Sequence, residues 1–230
     1  MRTIFLGFFV LLASSTIYAQ DGKLFFEVNY NTFSHSGLKD FQQEFIRDVG
    51  EVNVQVNDNF PSFFGFTAGY KISSINTSIF ASYTSTGGKI SYSDFSGVIR
   101  LTQPLKGYTL GGMYEIPLSE SSNGSSLHFA ARGFATYSTL DITSFNELNG
   151  ISGTETISTS SLDFGGGVAL IFEYPLSFVR LRASAGFDLV LGGKQYLTED
   201  RDFFIQDNNG DAVRTGWSGA RLGIGAAIPL

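Results

Sequence analysis

The chain has 230 residues, no cysteine, 23 phenylalanines, 10 tyrosines, 27 glycines and a formal charge of −6. The missing cysteines exclude disulfide staples and thiolate metal sites, and the acidic balance argues against nucleic acid as a partner. Beyond the N-terminal segment no run approaches about 18 consecutive apolar residues, which excludes a membrane helix there; aromatic and glycine enrichment with many alternating runs points instead to a closed sheet.

The first residues read as an export signal. Arg2 supplies a positive start, Ile4 to Ala13 is an apolar run of ten, and Ser14, Ser15, Thr16 and Ala19 form a small-residue exit. The run is shorter than the ~20 residues of a membrane-anchoring helix. Cleavage after Ala19 leaves residues 20–230 as one domain, with 14 lysines and arginines against 21 acids and a charge of −7.

Lys23 to Asn31 alternates Leu24, Phe26, Val28 and Tyr30 against Phe25, Glu27, Asn29 and Asn31, the signature of a strand. In the long segment Thr32 to Phe60, Leu38, Phe41, Phe45, Ile46 and Val49 recur at helical spacing, which predicts a short amphipathic helix capping a barrel mouth. Phe63 to Ile72 and Thr77 to Thr84 are strands joined by a tight connection at Ser73 to Asn76. Ser85 to Lys106 reads as a loop whose base is strand; Ile90-Ser91-Tyr92 and Val98-Ile99-Arg100-Leu101 could extend the neighbouring strands or form an extra hairpin, which leaves eight or ten strands open.

Gly107 to Leu118 and Leu127 to Asp141 are the next strands, joined by a Ser, Asn and Gly turn over Ser119 to Ser126. A polar loop is expected from Thr143 to Thr159. Ser161 to Tyr174 and Val179 to Gly192 follow, then a loop from Tyr196 to Thr215 with five acids and two arginines, and a final strand from Trp217 to Leu230. Pro117, Pro175 and Pro229 close the similar endings Tyr-Glu-Ile-Pro-Leu, Phe-Glu-Tyr-Pro-Leu and Ala-Ala-Ile-Pro-Leu, 58 and 54 residues apart. Together with Tyr70-Lys71-Ile72-Ser73, they predict four strands that run the same way and finish at one level.

Alternation alone does not say which face points inward. An eight-stranded interior has room only for packed side chains or one small ligand, whereas the bulky set here is large on nearly every strand. Five to seven same-face positions at ~6.6 Å per residue pair span about 25 to 40 Å, enough for a lipid-facing band of ~25 Å. Tyr70, Tyr114 and Tyr174 near one end, with Tyr83, Tyr108 and Tyr137 near the other, fit two interfacial girdles. The opposite parity carries Glu27, Glu115, Asp163, Glu173 and Asp188 with Lys71, Arg132, Arg180, Arg182 and Arg221. Buried charges must be paired, so these ten are expected to form a salt-bridge network plugging a narrow lumen, with inward glycines making room; a water-filled selective pore is the competing reading.

Signal, eight alternating strands, short turns at one end and longer loops at the other resemble the small outer-membrane barrels of the OmpA and OmpX type. The Ala-Gln cleavage site, the helix-bearing first loop and endings such as Gly-Tyr-Lys-Ile and Gly-Met-Tyr-Glu-Ile look like the uncharacterised barrel proteins of Bacteroidota. The resemblance implies an all-β fold, an eight-stranded antiparallel up-and-down transmembrane barrel with a short helix in its first loop. It further implies a bacterial outer-membrane location, insertion by the barrel assembly machinery, and membrane lipid and lipopolysaccharide as surroundings. The expected role is non-enzymatic, with no cofactor and with loops free to meet a surface ligand. Family members commonly end in an aromatic residue, where this chain has Leu230.

Other chemistry is thinly supported. Some similar barrels modify lipid A with a His, Ser and acid constellation. Here His128 falls near the periplasmic end, and His35, beside Ser36, lacks a fixed carboxylate in sequence. Asp207-Asn208-Asn209-Gly210-Asp211 begins like a calcium loop, but Ala212 replaces the loop glycine and Ser218 stands where a glutamate belongs, so a solvated turn is the better reading.

Overall fold

The computed structural model describes residues 22–48, 54–95, 97–148 and 150–230; the expected signal segment lies outside the described residues. Eight antiparallel strands close into a ring in the order β1 (Gly22–Phe33), β3 (Phe63–Ile72), β4 (Thr77–Ser93), β5 (Gly97–Glu120), β6 (Ser126–Leu148), β7 (Ile151–Leu176), β8 (Val179–Leu191) and β10 (Gly219–Pro229). Closure is made by β1 on β10, from Lys23↔Pro229 to Phe33↔Gly219. Two short strands lie outside the ring: β2 (Gln55–Asn59) pairs with β4, and β9 (Tyr196–Leu197) pairs with β7. The ring therefore has eight strands.

β3, β5, β7 and β10 run the same way and finish at the same end of the ring, β5 continuing past Pro117 to Glu120. Their turns are tight: a 3-10 turn at Ser73–Ile75 closed by Asn76 in the left-handed region, Ser121 N–H to Ser125 carbonyl at 2.9 Å, and a two-residue turn with Ser177 at φ 57°. At the opposite end the chain builds much more, including the helix α1 (Ser36–Asp48) between β1 and β2.

Two expected loops are strand. Ser85 to Lys106 continues β4 and β5 without a break in register up to Ser93↔Val98, and Thr143 to Thr159 continues β6 and β7 up to Leu148↔Ile151. The reason is physical. These segments rise past Tyr83, Tyr108 and Tyr137, which occupy one rung. Beyond it the outer parity turns polar at Ser85, Lys89, Arg100, Thr102 and Lys106, Ile90, Leu101 and Leu105 are buried on the inner side instead, and residues 151–158 are exposed throughout, so the alternation that marks the wall does not continue. Thr143 bonds Thr156 at 3.1 Å and Ser158 bonds Asp141 at 2.7 Å across the ladder. The last strand begins at Gly219 rather than Trp217, because Gly216 and Gly219 adopt φ 68° and 155° and turn the chain into the mouth.

Burial is inverted relative to a water-soluble protein. Phe64, Leu110, Leu189 and Ile224 are about two-thirds exposed on the outer wall, whereas Glu115, Asp163 and Glu173 are 0% exposed inside. Inside the wall two apolar clusters are separated in height. Phe25, Phe80, Met113, Ala130, Ala169, Ile171 and Ala227 fill the lower lumen, with Gly69 and Gly111 leaving the space that the Phe25 and Phe80 rings occupy. Leu38, Phe60, Phe63, Leu105, Leu140, Val213 and Trp217 close the upper mouth.

Candidate functional site

The lumen concentrates buried charge, and the strand register decides which charges meet. Arg182 on β8 stands directly opposite Glu173 on β7. On its other side Gly225 of β10 separates it from Glu27 of β1 on the same rung. A side chain at 225 would fill that gap; without one, Arg182 Nε donates to Glu27 Oε1 at 2.7 Å while Nη1 donates to Glu173 Oε1 at 2.9 Å. Nη2 reaches across the lumen to Glu115 Oε1 at 3.3 Å, and the guanidinium lies 4.5 Å from the Phe25 ring centroid. Glu115 also takes Lys71 Nζ at 2.5 Å and Ser78 Oγ at 3.3 Å; Glu173 also takes Lys23 Nζ and Arg180 Nε, each at 3.0 Å. One guanidinium thus ties together three carboxylates carried by three strands, a fixed planar fork suited to the task.

The same rule recurs one layer up. Asp188 on β8, Gly167 on β7 and Arg132 on β6 share a rung, and Arg132 Nη2 meets Asp188 Oδ2 at 3.1 Å across the glycine. The Arg132 guanidinium is held between the Phe80 and Phe134 rings, 4.9 Å from each centroid. Acid, glycine, base on three consecutive strands thus recurs at two lumen ion pairs, Glu27–Arg182 and Asp188–Arg132.

Of the ten lumen charges named from the sequence, Glu27, Lys71, Glu115, Glu173, Arg180 and Arg182 join one network, and Arg132 with Asp188 forms a separate pair. The expectation of a network containing all ten is corrected at four positions: Arg132 and Asp188 pair apart from it, and Asp163 and Arg221 make no ion pair among the described residues. Asp163 is saturated by neutral donors: Ser138, Ser161 and Thr215 hydroxyls on Oδ2 at 2.9 to 3.1 Å, and Gly193 N–H on Oδ1 at 2.6 Å. It anchors the loop between β8 and β10 to the wall. Lys23, which shares the lumen parity two residues before Phe25, belongs to the ionic network and was legible only as a strand's first residue.

The upper mouth is closed by different means. Trp217, the chain's single tryptophan, donates Nε1–H to Ser138 Oγ at 2.8 Å and packs edge-on to Phe33 and Phe63. His35 is 0% exposed in the segment after β1, above the wall strands, with its ring centroid 4.8 Å from that of Trp217. Its Nδ1 lies 2.6 Å from the Thr215 carbonyl, so Nδ1 carries the proton and Nε2 is left without a partner. Burial pushes its pKa down to about 4, against the opposing pull of that carbonyl bond. The helix α1 lays Leu38 into the mouth as the sequence predicts, and Gln42 Nε2 donates to the Asp58 carbonyl at 3.1 Å; Val49 lies outside the described residues. Gly37 and Gly216 permit close backbone contacts with Arg214 and His35 that a side chain would block.

The histidines form no catalytic constellation among the described residues. His35 faces aromatic rings and a carbonyl, and His128, near the end with short turns, lies 3.0 Å from Ser126 Oγ with Nδ1 unpartnered. In the Asp207 turn, Oδ1 of Asp207 accepts the Asn209 and Asp211 N–H groups at 3.0 and 2.8 Å, and Asn208 N–H bonds Glu44 of α1 at 2.9 Å. The Asp207 carboxylate holds its own turn, and Glu44 docks that turn on the helix.

No family model matches the sequence, and no curated protein matches it. Among solved structures, Ail of Yersinia pestis, the attachment invasion locus protein, in complex with the heparin analogue sucrose octasulfate, is 14% identical, with 90% of this chain and 98% of Ail covered and a TM-score of 0.39. Neisserial surface protein A is 13% identical, with 91% and 97% covered and a TM-score of 0.31. What the chain does is therefore read from its own residues.

Proposed function

We propose that this chain is an integral barrel of a bacterial outer membrane, closed to solutes and active through the structures it presents above the membrane. The observation that carries the reading is the double closure of the lumen: an ion-paired layer around Arg182 below and an aromatic layer around Trp217 above, in a barrel whose outer wall is apolar. A chain exposing so much apolar surface in water would aggregate; in lipid the same surface is an anchor, and a closed ring leaves no unpaired strand edge within the bilayer. The continued hairpins of β4–β5 and β6–β7 support a recognition role, since Phe95 and Ile151 at their tips are almost fully exposed. Export through the N-terminal signal and insertion by the assembly machinery complete the reading.

The test is single-channel recording of refolded mature protein in a planar bilayer, with folding verified by heat-modifiable migration. Silence is expected. Steady nanosiemens openings would overturn closure and make the barrel a narrow pore, in which case neutralising Arg180 or Arg182 would alter ion selectivity. Loss of function on truncating both hairpins, with the barrel still folded, is the matching result for recognition.

A further inference from the structure

Between the two closures lies a small chamber of about 30 Å³, bordered by Asn29, Asn31, Arg132, Asp188, Trp217 and Arg221. By the usual yardstick this is room for a couple of waters or one monatomic ion. Its polar lining is unbalanced. Arg221 is 7% exposed and has neither a carboxylate within salt-bridge distance nor a hydrogen bond to any described residue. Both side-chain polar atoms of Asn31, Oδ1 of Asn29, Nε of Arg132 and Oδ1 of Asp188 are also buried without partners.

The rung rule explains why Arg221 stands alone. Its rung continues through Gly186 of β8 to Ala169 of β7, so the glycine gap is present but the acid beyond it is replaced by alanine. On its other side the rung neighbour is Asn31. Asp188 is committed to Arg132, and Glu27, in the layer below, to Arg182 and Ser184. A buried guanidinium needs a counter-charge, and water supplies none.

We propose that this chamber is a binding site for one small monovalent anion of the chloride class, held by Arg221, the Asn31 amide and Arg132 Nε. The anion takes the place of the carboxylate missing from the third rung, and it sits enclosed between the two closures, so exchange requires the upper one to open.

The probe is bromide, read by Trp217, which borders the chamber and is the chain's single tryptophan. In the refolded full barrel, replacing gluconate with bromide at constant ionic strength is expected to quench Trp217 fluorescence along a saturable curve and to raise the denaturant midpoint, as binding to the folded state alone requires. Arg221→Met should abolish saturation. Ala169→Asp restores acid, glycine, base on that rung and should also remove the bromide response while keeping a folded barrel, which separates loss of the site from loss of the fold. In crystals soaked in bromide, an anomalous peak should lie within hydrogen-bond reach of Arg221. Linear quenching identical in wild type and Ala169→Asp, or a chamber holding water alone, would overturn the proposal.

Discussion

The two closures of the lumen solve one problem with opposite chemistry. The lower one is ionic and carried entirely by barrel strands: Glu27, Lys71, Glu115, Glu173 and Arg182 sit on β1, β3, β5, β7 and β8, and their meeting is dictated by register. The upper one is aromatic and carried largely by what the strands hold up: α1, His35, Phe60 and Trp217. The difference teaches where each can yield. The ionic layer is part of the wall itself, whereas the aromatic layer joins wall residues such as Phe63, Leu105 and Leu140 to segments the wall carries, so the upper closure is expected to yield first.

The most damaging test of that contrast is Arg182→Ala, which strips the buried Glu27 of its cation and removes the guanidinium that ties Glu27, Glu115 and Glu173 together. A loss of about 4 kcal/mol in global unfolding is expected, seen as a lower urea midpoint of the whole barrel in lipid; a purely local effect would break the comparison. Trp217→Ala removes a buried aromatic and its bond to Ser138, with a cost of about 3 kcal/mol. That loss should appear as proteolytic cutting and faster hydrogen exchange in the upper loops while the wall keeps its midpoint.

Acid should act on the upper end in the same local way. His35 folds neutral with a pKa of about 4, below the ordinary 6.5, so its contribution is intact above pH 6.5 and drains away as the pH falls toward 4. At pH 5 the loss is about 2 kcal/mol, following from the gap between folded and ordinary values. His35→Asn, which tolerates the φ of 45° at this position, should flatten the dependence of loop exchange on pH over that range. A slope unchanged by the substitution would assign the acid response to another group.

The smallest effect belongs at the periphery of the ionic layer. The Lys23 side chain is 22% exposed, and its bridge to Glu173 is backed by Arg180 and Arg182. Lys23→Met should therefore cost less than about 1 kcal/mol. A cost as large as that of Arg182→Ala would show that the layer is held from its rim rather than its centre.

The sequence declares the wall and hides the ladder above it. In the wall one face meets the packed lumen and the other the outside, so Val179 to Leu191 alternates without ambiguity; above the upper tyrosine rung most of Thr143 to Thr159 is exposed on both parities and reads as a polar loop. Lumen membership was equally legible, since Glu27, Arg132 and Asp188 all fall on the parity opposite the bulky residues. Partner choice was not. That Arg182 meets Glu27 depends on the stagger between β1, β10 and β8 and on Gly225 standing between them, and no single strand contains that information. The upper closure was half visible: helical spacing flagged Leu38, but nothing local announced that His35 and Trp217, 182 positions apart, would meet edge to face.

The continued hairpins carry one more consequence. From Thr84↔Gly107 to Ser93↔Val98 the β4–β5 ladder runs ten residue pairs beyond the upper tyrosine rung. At about 3.3 Å per residue its tip stands some 30 Å further along the strands. In the membrane setting proposed above, a stalk of that length would be a spacer, carrying Phe95 away from the crowded headgroup region and out toward other large objects. Reach, rather than pocket chemistry, then becomes the variable on which selection can act, because ladder pairs can be added or removed above the bilayer without shifting a single rung below it.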